Sequence, residues 1–250
     1  MAQLFDIQDV FDLDYQYFYE TVLTPEVTLK EVDVINRLLD LNANMKVLDI
    51  PCGPGRISKQ LATFGCEVTG IDASKKYIDV AKIDAKSFNL PVNYICEDMR
   101  NILFSNEFDA IINWHNSIGY FDDYENRKLL ISLKQALKPG GKLLIEQVNR
   151  DKILRHLLPG GALWTDAIVR EDNMMIDRIR YNTETGRMDV VRVVHKDGES
   201  RKVFYSFRLF TFPEIKSWLL NAGFSHVEVF SEKGGAFTLD SKRMLIVAHN

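Results

Sequence analysis

Apolar residues alternate between two spacings along the first 150 positions. Leu29, Val32, Ile35, Leu38 and Leu39 recur every three to four residues and predict an amphipathic helix. Thr28 with Glu31 three residues on is a capping-box pattern, so the helix is expected to start at Thr28. Lys46–Ile50 is a short apolar run, expected as a strand, and it leads into Pro51-Cys52-Gly53-Pro54-Gly55. Ile57 to Phe64 reads as a helix stopped by Gly65, and Cys66–Ile71 as a second strand ended by Asp72. Ser74 can cap a helix running to about Ala85. Pro91–Cys96 and Ala110–Trp114 are the third and fourth strands. Asp122 or Asp123 can cap a helix carrying Leu129, Leu130, Leu133 and Leu137, which Pro139-Gly140-Gly141 is expected to stop. Lys142–Gln147 is a fifth strand. Strands alternating with helices imply βαβ units, hence a parallel sheet with right-handed crossovers.

The period then shifts to two. Residues 162–212 alternate apolar and polar side chains and contain the turn dipeptides Thr185-Gly186 and Asp197-Gly198. Val203, Tyr205, Phe207 and Leu209 share one face, too apolar to leave in water. This block predicts an antiparallel sheet that covers the acceptor side of a site or mediates a dimer. Pro213 to Ala222 returns to helix, ended by Gly223. His226–Phe230 and Arg243–Ala248 are strands whose hairpin would set the last one antiparallel. The expected architecture is one α/β domain over residues 1–250, with seven mainly parallel strands, helices on both faces and an antiparallel β insertion after strand 5. The first stretch holds Phe5, Phe11, Tyr15, Tyr17, Phe18 and Tyr19 without a clean helical period. Residues 1–27 are therefore either a lid or a plain packed segment.

Composition narrows the function classes. The 250 residues carry 31 Lys and Arg against 35 Asp and Glu, a formal net charge of −4. With a pI near 5.8 there is no electrostatic footprint for nucleic acid. No apolar run approaches the roughly 20 residues of a membrane span, and the acidic start lacks the basic region of a signal peptide. Cys52, Cys66 and Cys96 form no CxxC, which points to a reducing, cytoplasmic setting and away from a disulfide framework or structural zinc. They read as small packed hydrophobes.

The chemistry concentrates at strand ends. Asp49 closes the first strand before a turn in which Gly53 and Gly55 allow positive φ and close approach of a ligand, and the helix start behind them offers free N–H groups. A dinucleotide fingerprint would want a small residue at 58, where Ser58 fits poorly, and Asp49 would repel a pyrophosphate. It suits an ammonium instead. Asp72 is placed to accept both hydroxyls of a ribose, and Asp98 and Met99 to meet an adenine. An amine, a ribose and an adenine together describe S-adenosylmethionine.

The stretches VLDIPCGPGR, VTGIDAS, EDMR, FDAIINWHNSIGYF and LKPGGKLLIE resemble, in order, the motifs of class I S-adenosylmethionine-dependent methyltransferases. The match is close over roughly 30–150. The rest is similar in layout to bacterial small-molecule methyltransferases that carry an inserted antiparallel sheet. The resemblance implies a Rossmann-like fold and methyl transfer to nitrogen or oxygen of a small-molecule acceptor. In the cofactor site it implies Asp49 facing the methionine ammonium, Gly53 and Gly55 along the methionyl part, and Arg56 at its carboxylate. Asp72 with Ala73 would hold the ribose, Asp98 and Met99 the adenine. Asn113, Trp114, His115 and Asn116 would line the space between sulfonium and acceptor. Apart from the resemblance, Tyr15, Tyr17 and Tyr19 are the candidates for a lid, or else they merely pack. Pro51 stands where the family has its first loop glycine.

Several readings stay open. Asp49, Asp72 and Asp98 can be turn or cap residues, and Arg56 a solvated one. His115 is the candidate general base, since an acceptor must lose a proton and His can take it near neutrality, or else it merely packs. His156 is a weaker candidate of the same kind. No pattern suggests a metal. A nicotinamide-dependent oxidoreductase and a non-catalytic cofactor-binding module are the alternatives. The chain is expected as a monomer or homodimer with no nucleic-acid or membrane partner.

Overall fold

The computed structural model describes residues 7–250, so Phe5 lies outside the described residues. The first half runs α1 (Ile7–Val10), α2 (Leu13–Tyr19), α3 (Pro25–Leu39), β1 (Lys46–Asp49), α4 (Arg56–Phe64), β2 (Glu67–Asp72), α5 (Lys75–Ser87), β3 (Val92–Cys96), β4 (Phe108–Asn113) and α6 (Asp123–Ala136). The second half runs β5 (Leu137–Val148), α7 (Arg150–Arg155), β6 (Ala162–Trp164), β7 (Ile168–Arg170), β8 (Asn173–Asn182), β9 (Arg187–Lys196), β10 (Glu199–Arg208), α8 (Phe212–Asn221), β11 (His226–Ser231) and β12 (Arg243–His249).

Seven strands form one sheet in the order β11-β12-β5-β4-β1-β2-β3. All its pairs are parallel except those of β12, which runs antiparallel to both β5 and β11. The order reverses beside β1, and ligands bind at such a switch point, outside the carboxyl ends of the strands. Consecutive strand residues serve opposite faces. Leu48, Ile111, Leu143 and Ile246 pack with α6 and α8, while Val47, Ile112, Leu144 and Val247 pack with α3 and α4. That two-sided burial is why these strands read as continuous apolar runs.

A second, antiparallel sheet holds β6 to β10. Its inner face, with Val203, Tyr205, Phe207 and Leu209, is buried against Val10 and Tyr120, so it covers the edge where β4 ends.

Three boundaries differ from the sequence reading. The first long helix begins at Pro25, because the Thr24 side chain accepts from the Val27 N–H and Pro25 occupies the first turn. Thr28 is buried in its interior, Glu31 is free for another role, and Leu29 is 54% exposed rather than on the packed face. Pro139-Gly140-Gly141 does not stop α6, which ends at Ala136; the three residues lie within β5. The aromatic N-terminal stretch is helical, with Asp12 capping α2 through the Tyr15 N–H. Its period was obscured because aromatics occupy both its faces. No helix among the described residues is long and apolar enough to cross a membrane.

Candidate functional site

A cavity of about 350 Å³ opens at the carboxyl ends of β1 to β4. That is within the range of small-molecule sites. The turn after β1 forms its floor. It starts with a cis Ile50–Pro51 bond and brings Gly53 to φ +54°. A Cβ at Gly53 would meet nothing within 4 Å, so the cavity reaches the backbone there. The Gly53 N–H donates to Asp72 Oδ2 at 2.9 Å, and the Ser74 N–H to Oδ1 at 2.8 Å. Asp72 thus ties the turn to the end of β2 while still facing the cavity. Burial pushes its pKa up, and the two amides pull it back.

Asp49 is almost fully buried beside it and accepts from the Ser58 hydroxyl at 2.5 Å. Burial raises its pKa to about 6 against that bond and the Arg56 charge. The small residue at 58 is therefore an acid's partner. Ala73, Asp98 and Met99 also line the cavity. Asp98 is gripped by its neighbour Arg100, Oδ1 to Nε at 3.1 Å and Oδ2 to Nη2 at 2.6 Å. Burial acts to raise its pKa, but these bonds leave it below the ordinary value.

After β4, His115 and Asn116 both take left-handed backbone conformations, φ +59° and +58°. The His115 N–H donates to Glu146 Oε2 at 2.7 Å, and the Asn116 N–H to the Glu146 carbonyl at 3.1 Å. This clamp turns the His115 ring into the cavity wall. Arg56 Nη2 lies 3.0 Å from His115 Nε2. A guanidinium only donates, so Nε2 accepts and the ring proton sits on Nδ1. Burial lowers the His115 pKa, Arg56 and Arg243 add to this, and Glu31 opposes it. Arg56 also pairs with Glu31 on α3 and reaches the Thr28 hydroxyl at 3.3 Å. Burial works against the Glu31 charge, but His115 and Arg56 outweigh it and hold its pKa at about 2.

Aromatic rings close the top. Tyr15 and Tyr19 of α2 stack at 4.1 Å, and Phe11 stands edge-on to Tyr15 at 5.0 Å and to Tyr120 at 5.3 Å. Burial raises the pKa of all three phenols, so they are neutral. Behind them the Arg192 guanidinium lies 5.0 Å from the Tyr15 ring and is held by both Asp177 oxygens at 2.8 Å.

Five sequence candidates do not line the cavity. Gly55, at φ +83°, backs onto Tyr94, whose hydroxyl would clash with a Cβ there; the glycine serves packing. Asn113 is fully buried and braces the chain, donating to the Ile50 carbonyl at 2.7 Å and accepting from the Ile118 N–H at 3.0 Å. Asn116 spends its carbonyl on the Val148 N–H at 2.6 Å. Tyr17 points to the second sheet, where its hydroxyl accepts from Asn173 at 3.0 Å and Arg170 covers its ring. His156 lies exposed in the connector, its Nδ1 2.8 Å from the Lys152 carbonyl.

The sequence reading missed Glu31, Tyr120, Glu146, Arg192 and Arg243. A charged residue at the end of the apolar run Leu143–Glu146 was a signal for one of them. Arg192 and Arg243 carried none. Among the described residues no three His, Cys, Asp or Glu side chains gather as a metal site would need.

Residues 47–141 match the model of a methyltransferase domain family. A ubiquinone biosynthesis O-methyltransferase of Coxiella burnetii is 35% identical over 105 residues, 42% of this chain and 44% of that protein. One of the same description from Pelagibacter ubique is 37% identical over 112 residues, 43% of each. The chain thus matches less than half the length of these curated relatives. Among solved structures, an S-adenosylmethionine-dependent methyltransferase from Clostridium acetobutylicum superposes with TM-score 0.75 at 16% identity, over 94% of this chain and 97% of that one. An amino pentose methyltransferase from Micromonospora echinaspora, solved with S-adenosylmethionine bound, gives TM-score 0.68 at 17% identity, over 96% and 98%. At these identities the likeness is one of fold.

Proposed function

We propose that this chain, whose residues 47–141 match a methyltransferase domain family, is a class I S-adenosylmethionine-dependent methyltransferase that methylates a small molecule at nitrogen. The observation that carries the reading is the single cavity where Asp49, Asp72 and Asp98 meet open backbone at Gly53 on one side and an aromatic chamber on the other. This set of donors and acceptors fits the cofactor. Asp49 offers a carboxylate to an ammonium, Asp72 keeps lone pairs for two ribose hydroxyls, and Met99 with Asp98 borders the adenine. Arg56 is turned to Glu31 and His115, so the free amides at the start of α4 are the better partners for a carboxylate. The bound cofactor supplies an electrophilic methyl on a sulfonium, whose displacement leaves a neutral thioether.

The chain's part in the transfer is alignment and exclusion of water. Phe11, Tyr15, Tyr19 and Tyr120 shape the acceptor chamber, and α2 serves as its lid, pinned from outside by Asp14 to Lys196 and Arg201 at 3.0 and 2.9 Å. Proton acceptance is the weak function here. His115 Nε2 is covered by Arg56, Glu31 is a poor base, and the phenols hold their protons. That favours a nucleophile needing no protein base, a neutral amine over an unactivated alcohol. The amino pentose in the name of one structural neighbour is an amine-bearing substrate class; the ubiquinone biosynthesis O-methyltransferases supply the case for oxygen.

Calorimetry with S-adenosylhomocysteine and with NADH tests the cofactor: only the first is expected to bind. In a panel of matched amines and alcohols, methylation should be confined to amines. His115→Ala should then lower kcat about tenfold or less. A loss of about 10²–10⁴-fold is the signature of general-base catalysis and would return that role to His115.

Asp49 gives a pH dependence with a definite sign. Its pKa near 6 in the free protein means that it is protonated below that pH, while the ligand's ammonium remains charged. Affinity for S-adenosylhomocysteine is expected to fall by up to about tenfold per pH unit below 6, with proton release on binding. Asp49→Asn should flatten this slope. A wild-type affinity constant from pH 7 to 5 would remove Asp49 from the ammonium.

A further inference from the structure

Arg243 opens β12 and stands at the carboxyl edge of the sheet, because β12 runs against its neighbours. Its Nε–H pairs with Glu146 Oε1. The other oxygen of Glu146 is already spent on the His115 amide. A guanidinium carries five N–H donors, and four of them are on the terminal nitrogens. Those two nitrogens make no hydrogen bond among the described residues, and neither is among the sealed side-chain atoms that lack a partner. The side chain keeps 29% of its surface accessible.

Arg243 adjoins the cavity through Glu146, which holds the backbone of His115, a residue of the cavity wall. Arg243 acts electrostatically on Glu31 from α3, on Tyr15 and Tyr19 from α2, and on Tyr120 and His115 from the segment after β4. Burial pushes its own pKa down to about 10, so it remains a cation, one with a single hydrogen-bonded anion. The other two cations here differ. Arg56 is committed to Glu31, Thr28 and His115, and Arg192 to both oxygens of Asp177 and to the Tyr205 hydroxyl. Arg243 alone of the three presents a free fork, the geometry that recognises a planar or tetrahedral oxyanion in bidentate fashion.

We propose that Arg243 is the specificity residue for the acceptor, and that the acceptor carries an oxyanion, a carboxylate or phosphate, that seats on its terminal nitrogens. The inference rests on the methyltransferase reading above. Under it, Glu146 is a positioning residue that orients Arg243 with one oxygen and His115 with the other. The acceptor is then held by its anion while its amine meets the methyl. A chamber of three neutral phenols beside an underpartnered cation would reject an acceptor whose only charge is positive.

The test uses the full chain saturated with S-adenosylhomocysteine, whose own binding is measured first. Loss of that binding would defeat the methyltransferase reading and not this proposal. Benzoate, phenyl phosphate, benzamide and benzylamine are then titrated by calorimetry. At least one oxyanion is expected to bind ten times more tightly than the amide or the amine, and the better of the two identifies carboxylate or phosphate. Arg243→Gln should weaken that probe tenfold or more and leave S-adenosylhomocysteine affinity unchanged. Arg243→Lys, which keeps a charge opposite Glu146, should fold and retain part of the preference. Failure of both oxyanions to bind, equal binding of benzylamine, or an oxyanion affinity unchanged in either variant overturns the proposal.

Discussion

Arg192→Ala is expected to lower the melting temperature by on the order of 10 °C. The guanidinium is 3% exposed and meets both oxygens of Asp177 and the Tyr205 hydroxyl, each at 2.8 Å. Burial works against its charge, and the Asp177 carboxylate outweighs that and holds its pKa well above the ordinary value. Removing one partner of a buried pair leaves the other charge desolvated without compensation, which costs about 3–5 kcal/mol. In a chain of this size each kcal/mol moves the melting point by about 2–4 °C. The effect reaches the cavity, since Arg192 lies under the Tyr15 ring and donates to the Val10 carbonyl at 3.4 Å. The double variant Arg192→Met, Asp177→Leu should regain much of the loss, because no charge is then stranded. Calorimetry of both checks the account; an Arg192→Ala protein melting within a degree of wild type would show that the network contributes nothing.

Asp72→Ala should weaken S-adenosylhomocysteine binding by about 1.5–3 kcal/mol, or roughly 10- to 150-fold, the worth of hydrogen bonds to a charged group. Two losses combine. Under the proposed reading the ribose hydroxyls lose their acceptor, and the Gly53 and Ser74 amides lose the carboxylate that holds the turn against β2. Asp72→Asn keeps one oxygen and should fall between. Titration calorimetry of variants with wild-type circular dichroism measures this. Unchanged affinity in Asp72→Ala would take the ribose away from Asp72.

Much of this could be read from local pattern. The strand sequence, the cap at Ser74, the stop at Gly65 and the acids closing β1 and β2 follow from hydrophobic period and chain chemistry within a few residues. A parallel sheet places every strand's carboxyl end on one edge, so Asp49, Asp72 and Asp98 had to share a site once the βαβ order was recognised. The antiparallel block was legible too, because its period of two and its turn dipeptides are local. Boundaries failed where two local signals competed, as at Thr24 against Thr28, and the packing of α3 decided between them.

Long-range partners were decided by the tertiary structure alone. Asn113 and Asn116 looked like site residues, yet each is consumed by a backbone group 32 or more positions away. Arg56 looked free, and Glu31, on a different helix, takes its charge. Arg192 and Arg243 sit in strands of ordinary composition, and nothing near them in sequence says that one is neutralised and the other left with an open fork. Side-chain direction in a strand is local, but what lies across the sheet or beyond its edge is fixed by folding. The cofactor side of the cavity is built from strand ends and could therefore be foreseen. The opposite wall joins α2 to the segment after β4, Phe11, Tyr15 and Tyr19 meeting Trp114, His115 and Tyr120, and these come together only when the chain folds.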